Sequence, residues 1–166
     1  MIDAAIFSRA RNIKLLLMDC DGVLTDGRLY FSERGEEMKV FHVRDGQGLV
    51  MWHQAGFQSG IITGRDAETI IRKRSDELGI KYVKANSDDK IRDFEEIITE
   101  AGVSPDETAF VGDDIGDLGL LGKVGLSIAV ADAVDEVLAN VAYVTKAKGG
   151  FGSVREVTDF LLRSKL

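Results

Sequence analysis

The sequence predicts an α/β fold, a Rossmann-like three-layer sandwich built on a parallel sheet, and three observations carry that prediction. Short apolar runs recur along the 166 residues with helix-length stretches between them, the alternation expected of parallel strands joined by crossover helices. Acidic, hydroxyl and basic residues gather where several of these runs end, which is where open α/β sheets place their ligands. One segment, between Thr25 and Asp45, breaks the alternation and reads as a small β-hairpin flap.

The first strand, residues 13–18, runs apolar into Asp19-Cys20-Asp21-Gly22. Side chains two apart in an extended chain point the same way, so Asp19 and Asp21 face one partner together and Cys20 faces away as a buried structural residue. Two neighbouring anions repel unless a cation or a shared proton relieves them, so the pair reads as a divalent-metal site or an acid–base pair. The bland alternative is an Asp-rich turn. An EF-hand is disfavoured, because the glycine comes two places early and the motif follows a strand.

In the flap, about residues 25–45, strands at 28–31 and 38–43 flank a polar connection containing Gly35. Both faces carry large apolar groups, including Tyr30, Phe31, Val40 and Phe41, more than a solvated hairpin of this size should expose. Burial against another subunit is the expectation; folding back onto its own core is the alternative.

Beyond the flap, helices are expected at 46–55, 67–78, 88–100, 116–123, 135–139 and 153–163, and strands at 57–63, 82–84, 108–112, 126–130 and 142–145. Ser104-Pro105-Asp106-Glu107 punctuates the chain before the strand at 108, since proline suits a first helical turn. Trp52 reads as core, and His42 and His53 as packing or surface residues.

Composition narrows the function. A formal charge of −7 disfavours a nucleic-acid surface, which needs a basic stripe to neutralise phosphates. No apolar run approaches the ~20 residues that span a bilayer, and residues 1–13 lack the apolar core of a signal peptide, so a cytoplasmic protein with small-molecule partners is expected. The single cysteine excludes an internal disulfide and a multi-cysteine metal site. One domain over residues 1–166 suffices for this length.

Four clusters fall near carboxyl ends of expected strands: Asp19-x-Asp21, Thr63-Gly64-Arg65, Lys90, and Gly112-Asp113-Asp114-Ile115-Gly116-Asp117. A parallel sheet would bring them to one crevice. Carboxylate oxygens suit a hard cation such as Mg²⁺, while a hydroxyl, backbone amides and an ammonium suit phosphate oxygens. Thr63-Gly64 alone would be an ordinary strand exit and Lys90 alone a solvated helix residue; their order and spacing give them weight. Asp113, Asp114 and Asp117 are too dense for a role in solubility alone, and read as metal-directed.

The order D-x-D-G-V-L-T, I-T-G-R, Lys, G-D-D-x-x-D resembles the haloacid dehalogenase superfamily of phosphohydrolases. Phe41-His42-Val43-Arg44-Asp45-Gly46, residues 124–130 and residues 149–156 extend the match over nearly the whole chain. Within that superfamily the chain resembles the capless 3-deoxy-D-manno-octulosonate 8-phosphate phosphatases, Mg²⁺-dependent tetramers of lipopolysaccharide precursor synthesis. The resemblance implies Asp19 as nucleophile, forming an aspartyl-phosphate, and Asp21 as the acid and base. It implies magnesium held by Asp19, the backbone carbonyl of Asp21 and Asp113, with Asp117 and Asp114 orienting its waters. Thr63, the Gly64 amide and Lys90 would grip the phosphoryl group.

Relatives commonly carry Gln-Gly where this chain has Ala85-Asn86; asparagine best tolerates the positive φ that glycine supplies, so the loop path is expected to survive. Arg65, and Arg74 from the Arg72-Lys73-Arg74 triplet, are candidates for the sugar's carboxylate; a solvated helix face explains the triplet equally well. With no cap domain, the resemblance implies a flap packed between subunits and a glycine-rich lid over about residues 146–153, reaching a neighbouring site, with Lys146 and Lys148 nearby.

The expected activity is hydrolysis of the eight-carbon sugar-acid phosphate. A nine-carbon 2-keto sugar acid 9-phosphate, of the ketodeoxynononate or neuraminate type, is the alternative substrate. Two other classes are weaker. A phosphoryl-accepting receiver also uses clustered acids, Thr and Lys, but places the phosphorylated Asp on a later strand. A catalytically silent scaffold would not need every motif side chain.

Overall fold

A computed structural model describes residues 3–166; Met1 and Ile2, part of the segment read as lacking a signal peptide, lie outside the described residues. Six parallel strands make the central sheet: β1 (Leu15–Met18), β4 (Gln58–Ile62), β5 (Tyr82–Lys84), β6 (Thr108–Gly112), β7 (Leu126–Ala129) and β8 (Tyr143–Val144), in the order β5-β4-β1-β6-β7-β8. The doubly wound order follows from the alternation, since each right-handed crossover places its helix on one face of the sheet. From central β1 the chain builds outward to β4 and β5, then returns past β1 to β6. The carboxyl end of β1 is therefore the switch point of the sheet.

The strands are apolar because both faces are covered. Leu15, Leu16, Leu17 and Met18 are all fully buried, as are Phe110 and Val111 on β6, the continuous burial expected of a parallel sheet between helical layers. Helices α2 (Val43–Gln54) and α7 (Ser153–Ser164) pack together on one side. Trp52 of α2 is buried, stacks on Phe57 at 4.2 Å between centroids and donates its indole N–H to the Gln58 carbonyl at 2.8 Å. Helices α3 (Glu68–Leu78) and α4 (Lys90–Ala101) cross between strands, and α4 turns Phe94 and Ile97 to the core.

Some elements differ from expectation. Helix α1 (Ala4–Asn12) was not expected; Asp3 caps it by accepting from the Ala5 amide at 2.8 Å, but only Ala10 is buried, so its apolar periodicity is faint. The hairpin exists as β2 (Tyr30–Ser32) and β3 (Gly35–Met38), paired antiparallel. Its second strand ends at Met38, where an extended run to residue 43 was expected. The His42 imidazole accepts from the Arg44 amide at 3.2 Å and opens α2 at Val43, three residues before its expected start. Alternating Lys39-Val40-Phe41-His42 mimics a strand, and the local cap overrides the pattern. The stretch expected as a helix at 116–123 is a 3-10 turn, Ile115–Asp117, followed by α5 (Leu118–Leu121). Helix α6 (Asp135–Leu138) links β7 to β8.

Candidate active site

Asp19 is the first residue beyond β1. Its amide donates to the Val111 carbonyl of β6 at 3.0 Å, which holds it at the sheet's switch point. Cys20 points into the core and is fully buried, while Asp19 and Asp21 lie on the open side, as strand alternation requires. Burial pushes the Cys20 thiol far above its usual range, so it is no nucleophile. The Cys20 carbonyl then gathers the amides of Val23, Leu24 and Thr25 into a tight turn. Gly22 sits in that turn with φ of 89°, and a Cβ there would fall on the Asp113 carboxylate. Only glycine allows β1 and β6 to bring their acids this close.

Asp113 and Asp114 follow β6. Asp117 is buried and folds back beneath them, accepting from the Asp113 amide at 3.0 Å and the Asp114 amide at 3.3 Å. Its other oxygen accepts from Lys90 Nζ at 2.7 Å, and the same ammonium lies 3.1 Å from Asp19. Lys90 is placed by the start of α4, where Asp89 accepts from the Ile91 and Arg92 amides, each at 3.0 Å. Carboxylate oxygens of Asp19, Asp113 and Asp117 all lie within 4.8 Å of one another. Asp114 is exposed and caps Ile115 at 2.7 Å; its side chain turns to that cap.

The electrostatics are those of a site short of positive charge. Burial, with the charges of Asp19, Asp117 and Asp114, pushes the Asp113 carboxyl up to about 8. Burial also raises Asp19, to about 6, with Lys90 opposing and Asp117 reinforcing the shift. Burial alone would lower Lys90, but Asp19 and Asp117 hold its ammonium charged above the usual range. Asp113 Oδ1 is buried and has no hydrogen-bond partner. Hard oxygen donors, excess negative charge and an orphaned carboxylate oxygen together fit a divalent cation of the magnesium type.

Thr63 is buried at the exit of β4, with its hydroxyl accepting from the Arg65 amide at 3.4 Å, and Gly64 is exposed beside it. The loop before α4 is stitched to this exit: Asn86 donates to the Arg65 carbonyl at 3.1 Å and Ser87 to the Thr63 carbonyl at 3.0 Å. Asn86 takes φ of 54°, the left-handed path expected of it. Arg65 pairs with Glu36 at 3.3 Å and reaches 4.0 Å from Asp21. Among the described residues Arg74 makes no ion pair with Asp19, Asp21 or Asp113: it pairs with Glu77 at 2.8 Å and its guanidinium lies 5.8 Å from the Phe41 ring centroid. Arg72 and Lys73 are exposed on the same helix.

Three residues of this region were missed. Lys39 and Glu36, on the hairpin, form buried ion pairs beside Asp21: Lys39 Nζ lies 2.5 Å from Asp21 and 2.8 Å from Glu36. Glu36 sits in what reads as a hairpin's polar connection and Lys39 in a strand expected to pack against another subunit through its apolar groups, so no pattern marks either as a site residue. Asp45 is buried and accepts from Arg155 N at 2.7 Å and Gly152 N at 3.3 Å, tying α2 to the start of α7. The glycine-rich segment packs directly on the turn that follows Asp21. Gly150 donates to the Val23 carbonyl at 2.9 Å, Gly149 donates to Asp132 at 2.9 Å, and Phe151 beyond them is 59 % exposed.

Comparison with known proteins agrees with this geometry. Residues 82–154 match the haloacid dehalogenase-like hydrolase family. The chain is 41 % identical over 161 residues to the 3-deoxy-D-manno-octulosonate 8-phosphate phosphatase of Escherichia coli K12, covering 97 % of this chain and 85 % of that protein. A crystal structure of the Yersinia pestis phosphatase of the same name superposes with a TM-score of 0.94 at 40 % identity, covering 98 % of this chain and 87 % of that one. The Moraxella catarrhalis phosphatase, crystallised in complex with magnesium ion, phosphate ion and KDO, superposes with a TM-score of 0.92 at 36 % identity, covering 96 % of this chain and 91 % of that one. Helix-flanked parallel strands, an acid cluster at their switch point and this level of identity together establish that the chain belongs to the 3-deoxy-D-manno-octulosonate 8-phosphate phosphatase family of haloacid dehalogenase-like hydrolases.

Proposed function

We propose that the protein is a magnesium-dependent phosphomonoesterase that hydrolyses 3-deoxy-D-manno-octulosonate 8-phosphate to the free sugar acid and phosphate, in cytoplasmic lipopolysaccharide precursor synthesis. The observation that carries the reading is the convergence of Asp19, Lys90 and the orphaned Asp113 carboxylate at one strand end, in a chain with these relatives. Asp19, the Asp21 backbone carbonyl and Asp113 would hold magnesium, which when bound would offset the repulsion between a carboxylate nucleophile and a phosphate dianion.

The chain's own residues carry the steps. An Asp19 carboxylate oxygen attacks phosphorus in line, forming the aspartyl-phosphate as the ester P–O bond breaks. Asp21 gives its proton to the departing sugar oxygen, then takes one from the water that attacks phosphorus and releases Asp19. Lys90 reaches the transferred group because Asp117 and Asp19 fix its ammonium. Thr63 and the Gly64 amide complete the phosphoryl cradle, and Arg65, 4.0 Å from Asp21, is the candidate to receive the sugar's carboxylate. Asp117 sets the Asp113–Asp114 turn through two amides, and Asp114 is the second acid available to order the cation's waters.

We further infer a homo-oligomer, of tetrameric form. Leu29, Phe31, Met38 and Val40 are 46 %, 61 %, 53 % and 49 % exposed on one small hairpin, an apolar surface that an isolated monomer rarely leaves to water. In such an assembly Arg74 and Phe151 are candidates to serve a neighbouring site.

The test is phosphate release from the eight-carbon ester and its nine-carbon analogues with magnesium, for the wild type and Asp19→Asn. Preference for the eight-carbon ester is expected, with activity in Asp19→Asn falling at least about a thousandfold, as for loss of a covalent nucleophile. Faster turnover of a nine-carbon ester would overturn the substrate, and full activity in Asp19→Asn would overturn the covalent route.

A further inference from the structure

The hairpin buries the wrong residues for a hairpin. Its apolar side chains Phe31, Met38 and Val40 are exposed, whereas the Lys39 side chain is wholly inaccessible and that of Glu36 is 5 % exposed. Lysine and glutamate are among the residues least often buried, and the desolvation of each is costly unless a specific partner offsets it. The partner is Asp21. Lys39 Nζ donates to Asp21 Oδ1 at 2.5 Å and to Glu36 Oε1 at 2.8 Å, and the second Glu36 oxygen receives Arg65 at 3.3 Å. Two acids and two bases balance, so Lys39 has charge to spare for Asp21 without leaving Glu36 unpaired.

Asp21 Oδ2, by contrast, is buried with no hydrogen-bond partner, and Arg65 Nε stands 4.0 Å from it. An ammonium can only donate. The oxygen it holds must therefore be an acceptor, and a proton on Asp21 belongs on the other oxygen. We propose that Lys39 is a positioning residue for the reaction: by holding Oδ1 it fixes the rotation of the Asp21 carboxyl and leaves Oδ2 as the oxygen that serves the leaving group. The hairpin thereby supplies part of the catalytic machinery from outside the parallel sheet. This rests on the role given to Asp21 above. Glu36 acts one step further out, keeping Lys39 and Arg65 on either side of the same carboxyl.

The role predicts dependence on the leaving group. A sugar alkoxide must be protonated as it departs, whereas p-nitrophenolate departs without a proton. Lys39→Met and Lys39→Arg would be assayed on the eight-carbon ester, on glycerol 3-phosphate as a simple alkyl ester and on p-nitrophenyl phosphate. In Lys39→Met, kcat/KM on the alkyl esters, which reports only the steps up to the aspartyl-phosphate, should fall about a hundredfold, the lower end for loss of general-acid catalysis. On the aryl ester kcat/KM should change less than about fivefold, because the later attack of water, which Asp21 also serves, lies outside it. Lys39→Arg, which keeps the charge and a donor, should recover part of the alkyl activity. Equal losses on all three esters, or none, would overturn the assignment. So would loss of folding in Lys39→Met joined to wild-type alkyl-to-aryl ratios in Lys39→Arg. A wild type active on glycerol 3-phosphate but not on the eight-carbon ester would refute the substrate reading alone, leaving the Lys39 comparison to be read on the simple alkyl ester.

Discussion

Asn86 has the only positive φ outside glycine among the described residues, at 54°, and it lies along the chain between Thr63 and Lys90. The left-handed conformation costs an ordinary L-residue about 1–2 kcal/mol, less for asparagine and nothing for glycine. Asn86→Gly should therefore leave both stability and turnover close to wild type. Asn86→Ala should cost about 1 kcal/mol in urea unfolding and lower turnover modestly, because the loop it shapes is bonded to Thr63 and Arg65. An alanine variant as stable as wild type would show that the loop relaxes to another path. This residue was legible in advance because asparagine stands where glycine is common and the backbone constraint is local. Lys39 was not. Its ion pairs join residues 18 positions apart through a tertiary contact, and nothing in Glu36-Glu37-Met38-Lys39 distinguishes a buried lysine from a solvated one.

At the scale of elements, the alternation of apolar runs located every parallel strand, since burial on both faces leaves a strong signal. The hairpin and the glycine-rich segment were harder, because their sequences answer to contacts rather than to period. Gly149 and Gly150 are read most simply as a flexible lid. In the fold, side chains there would meet the backbone of Gly22 and of Thr25–Asp26, so close approach is what requires glycine. The hairpin's exposed apolar surface carries its own prediction. Phe31→Asp combined with Val40→Asp should shift the assembly toward smaller species in light scattering, while the monomer keeps its helical circular dichroism, because neither side chain belongs to the core. An unchanged molar mass would overturn the hairpin as the proposed assembly surface.

Across the whole molecule, the fold converts distance in sequence into concentrated charge: Asp19, Asp113 and Asp117 meet at the switch point with one ammonium, Lys90, among them. That this crevice would form was legible, since a parallel sheet places strand ends together; how far the acids would shift was not, because burial depends on the packed helices. The shift has a definite sign. Without a cation, Asp113 holds its proton to about pH 8 and Asp19 to about pH 6, against an ordinary value of 3.8 for each. Through these two groups the folded metal-free chain binds more protons than the unfolded chain between about pH 4 and 8, which lowers its stability as pH rises through that window, while His53, held below its ordinary 6.5 by burial, acts in the opposite sense over part of it. A divalent cation competes with those same protons. Asp113 is half deprotonated at its midpoint near pH 8 and only about 1 % deprotonated two units lower, so through this group magnesium should bind about fiftyfold more weakly at pH 6 than at pH 8 and release protons as it binds. Melting curves with and without saturating magnesium check both halves: the metal-free melting temperature should decline from pH 5 to pH 8, and the gain from magnesium should grow over the same range. A gain that shrinks with rising pH would mean that the cation does not displace these protons, and would move its site away from Asp113.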